Sequence, residues 1–164
     1  MNTTEIYNFL WSKSSLSDFV MMVAPVTILR HIRPLQCSID SAYIINVRPN
    51  ARRLNGRVGT TTTAVHGHWV VLIIGPGKNE IFDSLGQTNV SGSTGVYGSE
   101  MGEFVEENDF SFVNNELLDS KNCGFFCLLF CYYKSRGYST LRSLEKLKQY
   151  RLNIAEKCIS TLAS

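Results

Sequence analysis

HWVVLIIGPGKNEIFD, residues 68–83, is the stretch from which the fold can be read. His68 to Ile74 is β-branched and aromatic, and apolar on both faces, the pattern of a central strand covered on two sides. Gly75-Pro76-Gly77-Lys78-Asn79 is a turn, and Glu80 to Asp83 returns as the neighbouring strand, so the segment predicts a hairpin. Upstream, Ala42 to Val47 (AYIINV) predicts a further strand, joined to the hairpin by a basic, Gly-containing loop that runs to Gly67.

Helical patterns flank this centre. Ile6, Phe9, Leu10, Leu16, Phe19 and Val20 suit one or two short helices between Thr3 and Val23, with Pro25 and Pro34 punctuating an irregular segment after them. Beyond the hairpin, a Gly/Ser-rich loop from Gly86 to Gly98 leads to a short helix around Glu100 to Glu107. Asp109 to Val113 alternates polar and apolar residues, as a strand does. Cys123 to Tyr133 (CGFFCLLFCYY) is almost wholly apolar, too short to span a membrane and suited to a helix buried in the core, with Gly137 ending it. Thr140 to Tyr150 and Leu152 to Leu162 predict C-terminal helices. The expected architecture is α+β, a small mixed sheet packed against helices, in a single domain covering residues 1–164.

Composition narrows the function. Net charge is only +2, too small to argue for nucleic acid by itself. The densest basic stretch holds Arg48, Arg52, Arg53 and Arg57, read either as a solvated loop or as a phosphate-contacting patch. No run of residues is long and apolar enough to cross a membrane. The opening MNTTEIYNFLWSKSS lacks the features of a signal peptide, so an intracellular protein is expected. The 5 cysteines are Cys37, Cys123, Cys127, Cys131 and Cys158, an odd number that argues against a disulfide framework.

Three polar residues stand out against these elements. His68 opens a buried strand and Asp83 ends its hairpin partner; neighbouring strands lie ~4.8 Å apart, so the two side chains can meet. A carboxylate on one imidazole nitrogen fixes the tautomer and steadies the imidazolium. Cys123 stands at the N-terminus of the apolar helix, where unpaired N–H groups and partial positive charge favour thiolate. Each residue also has a structural reading: a strand-opening histidine, an Asp in an Asx-turn, a cysteine buried as a small hydrophobe. That last reading is the one expected for Cys127 and Cys131. The His66–His68 pair lacks a third ligand nearby in sequence, and no metal is expected.

Taken together, His68-Trp69-Val70-Val71, Ile81-Phe82-Asp83-Ser84-Leu85-Gly86 and Asp119-Ser120-Lys121-Asn122-Cys123-Gly124-Phe125-Phe126-Cys127 resemble the adenovirus protease and its relatives, the proteases that process ubiquitin-like modifiers. Tyr43 to Val47 resembles the strand before the HW strand of that family. The resemblance runs from about Tyr43 to Cys131 and keeps the order His, acid, Cys. It implies a papain-like, adenain-like core with His68, Asp83 and Cys123 catalytic. It also implies a substrate groove shaped by Trp69 and Gly124, and cleavage after small residues, glycine above all, through an acyl-thioester.

The same resemblance implies a maturation protease acting on capsid precursors of a small double-stranded DNA virus, virophage or polinton-like element, in the infected cell or virion. No cofactor is required, although relatives of this type respond to an activating peptide or to DNA. A deconjugase for a ubiquitin-like modifier and a degenerate peptide-binding module are the alternatives. The sequence departs from the family at one point: where a glutamine helps form the oxyanion hole, this chain has Glu116. Asn115, a protonated Glu116 and the backbone N–H of Cys123 are the candidate donors.

Overall fold

The structure, a computed structural model, describes residues 2–34, 38–47, 67–86, 97–114, 116–118 and 121–162, with side chains as far as residue 154. The arginine loop, His66, Cys37, Asn115 and the side chain of Cys158 lie outside these residues.

The β-branched runs form the sheet. The strands are β1 (Val20–Pro25), β2 (Ser41–Val47), β3 (His68–Ile74), β4 (Asn79–Phe82) and β5 (Phe110–Phe112), in the spatial order β1-β2-β3-β4-β5. The middle of the sheet is antiparallel: β2 pairs with β3, and β3 with β4 through the hairpin expected from the sequence. The two edges run parallel to their neighbours, β1 to β2 and β5 to β4, which makes the sheet mixed. Around it stand the helices α1 (Thr3–Trp11), α2 (Ser14–Phe19), α3 (Ser99–Glu107), α4 (Cys123–Ser135) and α5 (Thr140–Leu162), and a 3-10 turn at Val26–His31. No helix among the described residues is long and apolar enough to cross a membrane.

Two hydrophobic clusters explain why β3 is apolar on both faces. Trp69, Val71 and Ile73 face a core built with α1, α2, α4 and α5. Val70, Leu72 and Ile74 face a second core with α3 and the 3-10 turn. Burying each such side chain contributes about 1.5–3 kcal/mol, so a strand covered twice is the natural centre of the sheet. Phe82 of β4 stacks on Phe130 of α4, with centroids 4.4 Å apart and planes within 6°. Such a pair adds ~0.5–1.5 kcal/mol beyond burial, and it seats α4 across β4.

Two elements differ from the sequence reading. Val20 to Pro25 is a strand, although its first residues continue the helical pattern of α2. Its β-branched Val20 and Val23 and its hydrogen bonding to β2 outweigh that periodicity. The C-terminal segment is one continuous helix rather than two, since neither Gly nor Pro interrupts Thr140 to Leu162. The end of α4 follows expectation: Gly137 adopts φ 84°. There its N–H bonds Lys134 O at 3.0 Å and the N–H of Tyr138 bonds Tyr133 O at 3.2 Å, a Schellman closure.

A buried carboxylate ties this end of α4 to the hairpin. Glu80 accepts from Lys78 Nζ at 2.8 Å and from Thr140 Oγ1 at 2.7 Å, and Lys134 Nζ lies 3.8 Å away. Burial opposes its charge most strongly, but these partners together hold its carboxyl below the usual range.

Candidate active site

Register puts the acid beside the histidine. Val71 pairs with Phe82 and Leu72 with Ile81, so the next residue after β4, Asp83, falls opposite Val70. His68 is then its diagonal neighbour on the same face, close enough for side chains to join. His68 Nε2 lies 2.7 Å from Asp83 Oδ1. The Asp83 carboxylate is buried, and its Oδ1 also accepts from the backbone N–H of Leu85 at 2.8 Å.

Cys123 arrives from the other layer. Residues 113, 114 and 116–118 lie along the end of β4: Val113 N bonds Ile81 O at 3.0 Å and Leu118 N bonds Ser84 O at 2.8 Å. The buried amide of Asn114 donates to Asp83 O and to Glu116 O, both at 2.9 Å. Gly86, at φ 71°, lets this segment pass so closely that a Cβ there would sit 2.5 Å from the Glu116 carbonyl carbon. The chain therefore reaches Cys123 beside the acid that orients the histidine.

Cys123 opens α4, and the side chain of Asn122 does not cap that helix, so the partial positive charge of the first turn acts on the thiol. The thiol is half-buried and interacts with the His68 side chain and with the backbone of Trp69 and Gly124. Because Nε2 is held by Asp83, Nδ1 is the imidazole nitrogen left for the thiol proton.

The electrostatics of the pair follow from this geometry. For Cys123, burial is the largest influence and works against the thiolate, yet His68 and the two backbone bonds outweigh it and set the thiol below its usual range. For His68, burial again opposes charge most strongly, but Asp83 and Cys123 raise the imidazolium to about 9. Both shifts favour a thiolate facing an imidazolium.

Cys127 and Cys131 are inert by the same physics. Cys127 is fully buried and donates to Trp69 O at 3.3 Å. Burial pushes the thiols of Cys127 and Cys131 far up, and both serve as core residues, in keeping with the sequence reading. Among the described residues no cluster of three or more His, Cys, Asp or Glu side chains could hold a metal.

Two sequence expectations change. Glu116 turns its carboxylate to solvent and pairs with Lys148 of α5 at 3.0 Å. An exposed acid held by a lysine is not the buried one that a protonated oxyanion donor requires, so Glu116 is set aside. Trp69 is 4 % exposed and packs in the core with α4, so it supports the site from beneath rather than lining an open groove. Gly124 is buried at the head of α4, its backbone bonded to the Cys123 sulfur. Asn115 being outside the described residues, the backbone N–H groups of the first turn of α4 are the donors the geometry offers to an oxyanion.

Two functional side chains escaped the sequence reading. Asn114 carries no motif of its own, and only the fold shows its amide donating to Asp83 O. Tyr97, at the end of a Gly/Ser-rich loop, donates its buried hydroxyl to Asp83 Oδ2. No local pattern marks it, since its partner lies on another element. Comparison of the chain with protein-family models, curated proteins and solved structures finds no match.

Proposed function

We propose that this chain is a cysteine peptidase with a papain-like core of the adenovirus-protease type, cleaving after small residues, glycine above all. The observation that carries the reading is the placement of the Cys123 thiol, at the head of α4, against His68, whose Nε2 lies 2.7 Å from the buried Asp83. Those are the parts of nucleophile, base and orienting acid.

The chemistry follows directly. The Cys123 thiolate attacks the scissile carbonyl, and the new oxyanion is met by N–H groups of the first turn of α4. The imidazolium of His68 gives its proton to the leaving amine as the C–N bond breaks, which leaves an acyl-thioester on Cys123. Neutral His68 then takes a proton from water as the oxygen attacks the thioester. Collapse expels the thiolate and restores the ion pair. The biological role that goes with this reading is trimming of glycine-containing capsid precursors during virion maturation.

The deciding assay is incubation with a glycine-centred peptide library beside a panel of ubiquitin-like precursors. Cleavage of library peptides after glycine, without preference for folded modifiers, is expected. Selective processing of a modifier precursor would make the chain a deconjugase, and no cleavage of either by protein with a titratable, reactive Cys123 would make it a binding module.

The pH profile is a second check. The competent form needs Cys123 as thiolate and His68 protonated. As pH falls through the lowered Cys123 value the nucleophile is lost, and as it rises through about 9 the proton for the leaving amine is lost. A bell-shaped kcat/KM with its basic limb near 9 is therefore expected. A single rising limb at the ordinary thiol value, with no fall above it, would contradict the ion pair.

A further inference from the structure

We propose that Tyr97 is a positioning residue of this site: its hydroxyl, donated to Asp83 Oδ2, fixes the plane of the carboxylate so that Oδ1 stays on His68 Nε2. The assignment rests on the peptidase reading and deepens it.

The geometry requires such a donor. The terminal torsion of an Asp side chain is broad, so a carboxylate held through one oxygen can still swing. Asp83 Oδ1 carries both His68 Nε2, at 2.7 Å, and the N–H of Leu85, at 2.8 Å. A donor on Oδ2 removes the freedom that remains. Tyr97 is itself immobilised: it is buried in the second core with α3, and its ring lies parallel to Phe112 of β5, centroids 6.5 Å apart and planes within 9°. It directly precedes Gly98, the N-cap of α3. The hydroxyl is thus set by the layer that contains α3, whereas Cys123 is set by α4 in the opposite layer. Tyr97 couples the two layers at the acid. Tyr97 faces Asp83 after β4 and Cys127 from α4, and Asp83 in turn holds His68 of β3, which faces Cys123.

A buried tyrosine also needs an acceptor simply to satisfy its hydroxyl, so the test must separate positioning from packing. Tyr97→Phe keeps the ring and its stack. Turnover should fall by about 10-fold to 100-fold, the size of one charge-assisted hydrogen bond, with KM nearly unchanged. The window of the ion pair should narrow from both sides. The basic limb of kcat/KM should move down in pH, and alkylation of Cys123 by iodoacetamide should need a higher pH than in the unmodified protein. In an Asp83→Ala background Tyr97→Phe should cost no further turnover, because the tyrosine acts through the carboxylate.

Unchanged limbs with a loss that follows only the urea midpoint, or additive losses in the double variant, would overturn the assignment. If the unmodified protein shows no low-pH alkylation of Cys123, the peptidase reading itself falls, and the role of Tyr97 falls with it.

Discussion

Cys123→Ala is expected to abolish hydrolysis while leaving the fold intact. Loss of the nucleophile in a triad costs on the order of 10⁶ in turnover, because the remaining members cannot act alone. The thiol is half-buried, at the first turn of α4, and its removal leaves the Phe82–Phe130 stack and the two cores in place. Thermal or urea unfolding of the variant should match the unmodified protein within about 1 kcal/mol. Cys127→Ala and Cys131→Ala provide the contrast: both residues are fully buried, so these variants lose packing and stability but keep turnover in the fraction that is folded. Turnover by Cys123→Ala close to that of the unmodified protein would remove Cys123 from the chemistry.

His68→Ala should be equally damaging, and for a reason that can be measured without substrate. Members of a triad act as a unit, so the loss should approach that of Cys123→Ala, and the double variant should be little worse than either. The imidazole is also the leading partner that favours the Cys123 thiolate against burial. Without it, burial dominates and the thiol returns to or above its ordinary range. Alkylation of Cys123 by iodoacetamide below neutral pH should be fast in the unmodified protein and slow in His68→Ala. Equal rates in the two proteins would mean that no thiolate–imidazolium pair forms, whatever the distances between the side chains.

Much of this site was legible before the fold was known, because its residues sit at element boundaries. His68 opens the most apolar strand, Asp83 closes the returning one, and Cys123 begins the most apolar helix. A hairpin and a helix N-terminus are local features, and they limit where such side chains can point. The less legible parts depend on contacts across the chain. The sequence offered a protonated Glu116 among the oxyanion donors, but Lys148 on α5 draws that carboxylate outward. The family resemblance made Trp69 a groove residue, whereas the packing of α4 buries it.

By itself the sequence determined the hairpin, the doubly covered strand, the buried helix with its glycine stop, and three candidate residues for thiol chemistry. These depend on hydrophobic period, turn residues and caps, whose free energies are set within a few residues of one another. The tertiary structure alone decided that Val20–Pro25 is an edge strand, since its ladder to β2 exists only once Ser41–Val47 is in place. It alone decided that β5 runs parallel to β4, that Asn114 holds the Asp83 peptide, and that the Tyr97 hydroxyl reaches the acid. Each of these is a pairing between segments far apart in the chain. The energy of such a pairing depends on where both partners are held, and no local pattern encodes that.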